Sequence, residues 1–209
     1  SLADMCSGTV MNRLVQGDVG SGKTMVAAAL IWQCWKNGLM SAYMAPTEIL
    51  AEQHYVNLSK LLNPLGLRTA KLTGAMSAKE KRQVKALLQS GEVDLVIGTH
   101  ALFSADVEYS KLGLVVTDEQ HRFGVRQRSA LISKGAKPHV LVMSATPIPR
   151  TLALIIYGDL DVSVIDELPP GRQKVDTFAV GESYRKRLNA FIEKLCGEGR
   201  QVFVVCPMV

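Results

Sequence analysis

Gly17-Asp18-Val19-Gly20-Ser21-Gly22-Lys23-Thr24 decides how the rest of the chain is read, because it spells G-x-x-x-x-G-K-S/T between two segments of different period. Before it, residues 13–16 read as a short strand. After it, residues 23–37 are apolar nearly all round and end at Gly38, the pattern of a helix packed deep against a sheet. A glycine-rich turn in that setting aims successive backbone N–H groups at phosphate oxygens, and the helix N-terminus adds partial positive charge. Lys23 is then expected to reach the β- and γ-phosphates of a nucleotide, and the Thr24 hydroxyl to hold Mg²⁺. The ligands expected are ATP and Mg²⁺, with Gly17, Asp18, Val19, Gly20, Ser21, Gly22, Lys23 and Thr24 as the binding residues.

Working outward, β-rich runs at residues 41–45, 69–72, 94–97, 114–117 and 140–143 alternate with helical stretches, each bounded by Gly, Pro or polar residues. Residues 48–62 and 79–88 are the more amphipathic helices, expected nearer the surface. This alternation predicts an α/β fold, a parallel sheet with helices on both faces.

The bulk properties agree with a folded globular chain. Of 209 residues, 47% are hydrophobic and 21% charged, with no polar tract that would argue for disorder. The formal net charge of +5 is compatible with contact to a phosphate backbone, and equally with a few surplus surface lysines. Cys6, Cys34, Cys196 and Cys206 lie far apart with no C-x-x-C pair, so neither a zinc site nor a disulfide framework is indicated. No apolar run reaches the roughly 20 residues of a membrane span, and no signal sequence opens the chain, so a cytoplasmic setting is expected.

Two further clusters carry chemistry only because the first motif is present. Asp118-Glu119-Gln120-His121 ends the apolar run Leu114-Val115-Val116, so a parallel strand delivers two carboxylates to the sheet edge where ligands gather. Alone, such a pair is a solvated turn. Beside a phosphate loop, Asp118 is placed to bind Mg²⁺ and Glu119 to polarise the attacking water as general base. Ser144-Ala145-Thr146 follows Val140-Leu141-Val142-Met143 and brings two hydroxyls to the same edge.

In this order GDVGSGKT, DEQH and SAT resemble the first lobe of superfamily 2 helicases and translocases. The strings MAPTEILAEQH (44–54), GTHAL (98–102), DEQHRFGV (118–125), SATPIPRT (144–151) and VIDELPPGR (164–172) sharpen the resemblance to the RecG-type DNA branch-migration helicases, and it covers nearly the whole chain. The transcription-repair coupling translocases share the HRFGV and ATPIPRT strings, whereas the DEQH spelling and the DELPPGR linker look more like the RecG type.

The resemblance implies a RecA-like P-loop lobe of an ATP-dependent DNA helicase, serving junction branch migration in recombination and repair. It implies that Pro46, Thr47, Thr73, Gly74, Thr99 and His100 line the nucleic-acid face, where hydroxyls and N–H groups bond phosphates without reading bases. Each could also merely end a strand. It further implies that His121 senses the γ-phosphate and that Ser144 and Thr146 couple the nucleotide to lobe movement. Arg122, Arg126, Gln127 and Arg128 form either a solvated helix face or a contact to DNA or a second lobe.

The prolines and glycine of residues 166–172 predict a boundary. The expected organisation is an ATP-binding lobe at 1–165, a linker at 166–174 and, at 175–209, the truncated start of a second lobe with a strand (175–179), a helix (184–196) and a strand (201–205). A monomer that contacts DNA and no membrane is expected. The 209 residues by themselves are expected to be nearly inactive, since the arginines of a second lobe and an adenine-reading Gln motif are not among them.

Overall fold

In a computed structural model, residues 1–118, 137–146, 160–167 and 175–206 are described. They separate into two compact units, Ser1–Pro170 and Gly171–Val209.

The first unit is built on strands β1 (Asn12–Gly17), β2 (Met40–Met44), β3 (Thr69–Leu72), β4 (Leu95–Gly98), β5 (Leu112–Asp118), β6 (His139–Ser144) and β7 (Asp161–Ile165). They form one sheet in the order β3-β4-β2-β5-β6-β1-β7, and every pairing is parallel. Parallel strands must be buried on both faces, which explains the near-continuous apolar runs Leu95-Val96-Ile97 and Leu114-Val115-Val116.

Successive side chains of each strand go to opposite faces. Leu95, Ile97, Leu114, Val116, Leu141 and Met143 therefore join one apolar cluster, which also takes Ala27, Leu30, Ile31 and Cys34 from helix α2 (Lys23–Lys36) and Leu58 and Leu62 from α3 (Glu48–Leu62). Val96 and Val115 join the other face with Leu88 of α4 (Ala78–Ser90). The expected parallel sheet with helices on both faces is the fold observed.

Local chemistry sets the helix ends. Thr47 caps α3 by accepting the Leu50 N–H at 3.3 Å. Ser77 and Glu80 form a reciprocal capping box on α4, which ends at Gly91 with φ 77°. A short N-terminal helix, α1 (Leu2–Met5), is held to the sheet through Asp4, whose Oδ2 accepts from Arg13 Nε of β1 at 2.7 Å. Arg13 also donates to Ser163 Oγ of β7 at 2.8 Å. One guanidinium thus ties three elements together.

Gly98 is fixed by close approach. It pairs with Leu72, and a Cβ at this position would lie 1.9 Å from the Leu72 carbonyl oxygen. Gly98→Ala is expected to force β3 and β4 apart and cost about 1–3 kcal/mol, as overpacking does. A urea midpoint equal to wild type would contradict that close contact.

Two parts of the sequence reading change. β7 was not among the expected strands, since residues beyond 161 read as the approach to the linker. In the second unit, residues 175–179 and 201–205 do not form the expected strands; the unit has a 3-10 turn at Glu182–Tyr184 and helix α5 (Arg185–Gly197). A parallel strand requires neighbours to satisfy its backbone and cover its faces, and among the described residues of this unit none is present. Val175, Phe178, Phe203, Val204 and Val205 are accordingly exposed. The linker at 166–174 lies largely outside the described residues.

Candidate functional site

Because all seven strands run the same way, their C-terminal ends share one edge of the sheet, where ligands of such folds bind. The edge divides by strand. β1, β6 and β5 are neighbours and deliver the three motifs together: Gln16 pairs with Ser144, and Asp118 pairs with Met143. β2, β4 and β3 continue the same edge and deliver the six residues assigned to nucleic acid.

The loop after β1 has the backbone that phosphate binding requires. Gly20 and Gly22 adopt φ 83° and 91°, conformations that a side chain resists. A Cβ on Gly17 would lie 2.6 Å from Ser21 Oγ and 3.0 Å from Ile165 Cβ, so this position too must stay bare. Asp18 braces the turn, its Oδ1 accepting the Val19 N–H at 2.7 Å and its carbonyl the Ser21 N–H at 3.1 Å.

Lys23 is only 8% exposed, and its Nζ donates to the carbonyls of Gly17 at 2.6 Å and Asp18 at 2.8 Å. A buried ammonium is thereby aimed back across the loop. No side chain caps the N-terminus of α2 among the described residues, and the buried Ser21 Oγ has no partner there. An uncapped helix start, an orphaned hydroxyl and a cation held inside a glycine turn fit a phosphate-bearing ligand. Thr24, in the first turn of α2, is half-buried beside them.

Asp118 closes β5 on the face that Leu114 and Val116 share, the side covered by α2 and α3. Its Oδ2 accepts from the Tyr43 hydroxyl at 3.1 Å and lies 2.8 Å from His54 Nε2. Tyr43 comes from the neighbouring β2 and His54 from α3. Neither was expected at the site, although His54 stands within the quoted string MAPTEILAEQH. Glu119 and His121 lie outside the described residues, as do Arg122, Arg126, Gln127 and Arg128.

Ser144 is buried at the end of β6, and its Oγ accepts the Thr146 N–H at 3.2 Å. The two hydroxyls are 3.2 Å apart. They form a closed hydroxyl turn between the glycine loop and Asp118.

On the other half of the edge, Thr47 and Gly74 are exposed, as is His100 in the 3-10 turn His100–Phe103; Pro46 and Thr99 are half-buried. Thr73 differs. It is 5% exposed and its N–H points to Met76 Sδ at 3.4 Å, so this threonine is part of the loop's interior. Glu48, also missed by sequence reasoning, joins two of these loops: its Oε1 accepts the Ala75 N–H at 2.7 Å. A Cβ on Gly74 would come within 3.1 Å of that same oxygen. Lys81 Nζ holds the Gly74 carbonyl at 2.5 Å.

The family model described as DEAD/DEAH box helicase matches residues 2–155. Over 207 residues the chain is 49% identical to the ATP-dependent DNA helicase RecG of Bacillus subtilis, covering 99% of this chain and 30% of that protein. It is 50% identical to the RecG of Synechocystis over 208 residues, covering all of this chain and 25% of that protein. Among solved structures, RecG bound to a three-way DNA junction superposes with a TM-score of 0.82 at 46% identity, over 99% of this chain and 28% of that one. The chain thus spans less than a third of the length of these relatives. With the motifs assembled on adjacent strand ends and the family model covering most of its length, the chain belongs to the DEAD/DEAH box helicase family.

Proposed function

We propose that this chain is the RecA-like, nucleotide-binding lobe of an ATP-dependent DNA helicase of the RecG type, a monomeric cytoplasmic motor that moves on branched or duplex DNA. The observation that carries the reading is the division of one sheet edge, with phosphate chemistry after β1, β6 and β5 and, after β2, β3 and β4, the exposed Thr47, Gly74 and His100 beside the half-buried Pro46 and Thr99. The names of the similar helicases and the DNA junction held by one of them support it.

Lys23 and the N–H groups of the glycine loop hold the phosphates, and Thr24 with Asp118 would hold Mg²⁺. When bound, that ion neutralises charge on the phosphate oxygens. Glu119 takes a proton from the attacking water. His121, Ser144 and Thr146 relay the nucleotide state, while Pro46, Thr47, Gly74, Thr99 and His100 meet the DNA backbone, with Thr73 shaping their loop. The lobe is assigned residues 1–165, the connector 166–174 and the start of a further lobe 175–209. No helix among the described residues is long and apolar enough to cross a membrane.

Phosphate release by the intact protein, measured with branched DNA, with RNA of the same sequence and with neither, tests the proposal. Branched DNA is expected to stimulate turnover well above the other two. Equal stimulation by RNA would contradict a DNA motor.

A further inference from the structure

We propose that His54 and Tyr43 are positioning residues for the metal-binding carboxylate of Asp118. The assignment rests on the proposed Mg·ATP site and deepens it, since nothing in the motifs themselves gives these two residues a role.

Geometry carries the argument. The strand alternation that buries Leu114 and Val116 also turns Asp118 toward α3, and the pairing of β2 with β5, Tyr43 opposite Val116, brings Tyr43 to the same face. Tyr43 is fully buried, and His54 and Asp118 have side chains only 13% and 12% exposed. The rings of Tyr43 and His54 meet at a tilt, with centroids 4.8 Å apart. A carboxylate is acceptor-only, so the 2.8 Å contact requires His54 Nε2 to carry a proton and donate it.

Both donors converge on Oδ2. Among the described residues no hydrogen bond reaches Oδ1, so the pair fixes the carboxylate's rotation through Oδ2 and leaves the second oxygen without a donor there. A partly buried carboxylate with neither donor would be free to rotate, and ordering it would then weaken metal binding. Second-sphere partners of this kind usually contribute about 10–100-fold to metal affinity.

α3 gives the arrangement a further consequence. The helix starts at Thr47 and Glu48, which hold the candidate nucleic-acid loops, and reaches Asp118 through His54. One rigid element thus touches both halves of the edge.

Mn²⁺ is the probe, titrated by electron paramagnetic resonance against the chain saturated with ADP, beside ADP affinity measured in EDTA. His54→Ala and His54→Phe are expected to weaken Mn²⁺ about 10–100-fold. His54→Gln, whose amide nitrogen stands near the position of Nε2, is expected to restore most of the affinity, and Tyr43→Phe to lose less than His54→Ala. ADP affinity in EDTA is expected to stay at the wild-type value throughout. Wild-type Mn²⁺ affinity in His54→Ala overturns the assignment. So does a glutamine variant as weak as phenylalanine, which would make the role one of packing. A wild-type chain that binds ADP and takes up no Mn²⁺ would overturn the metal role of Asp118 itself.

Discussion

Glu119→Gln in the intact protein is expected to bind Mg·ATP as tightly as wild type and to lose about 10²–10⁴-fold in single-turnover hydrolysis. The amide keeps the shape of the carboxylate and removes the base. Glu119 follows directly in sequence on Asp118, the last residue of β5. Binding depends on the loop after β1, whose backbone is set by Gly17, Gly20 and Gly22 and does not involve this residue. A variant that loses binding and turnover together would show that Glu119 holds the site together and does no proton chemistry.

The divide between what was legible and what was not follows the range of the interactions. The six strands expected in the first lobe are all present to within a residue or two at their ends: β4, β5 and β6 are central parallel strands with apolar runs, while β1, β2 and the edge strand β3 are short β-rich runs bounded by Gly, Pro or polar residues. β7 escaped because it runs into the linker: Asp161 and Val164 are exposed, and its alternation of Val162 and Val164 is too short to stand out beside the linker prolines. Its partner β1 holds it through Arg13, a contact across 150 residues. The strands expected at 175–179 and 201–205 fail for the converse reason, since β-rich composition alone supplies no partner.

The site shows the same split. The glycine loop, Asp118 and Ser144 are local patterns at strand ends and could be read directly. Tyr43 and His54 could not, because their roles depend on strand parity and on α3 crossing the sheet at one particular height. The parity was available in principle: Leu114, Val116 and Asp118 alternate, and a histidine on the apolar side of the amphipathic 48–62 helix is a signal. The capping box of Ser77 and Glu80 was also present in the sequence and would have set the start of α4 at Ala78 instead of 79.

Lys23→Ala tests whether the loop between β1 and α2 is a phosphate site in which one buried ammonium supplies the side-chain charge. Hydrogen bonds to charged groups contribute about 1.5–3 kcal/mol each. Lys23 Nζ now makes two to loop carbonyls, and phosphate oxygens would replace these neutral acceptors with charged ones. Removing the ammonium is therefore expected to weaken binding by at least about 10²-fold. The remaining helix N-terminus and glycine N–H groups cannot replace a full charge. Calorimetric titration of Mg·ATP into the wild-type chain and into Lys23→Ala, with circular dichroism to confirm that both are folded, is the direct measurement. Wild type is expected to bind one-to-one and the folded variant to show no measurable binding; equal affinities for the two proteins would contradict the assignment of Lys23.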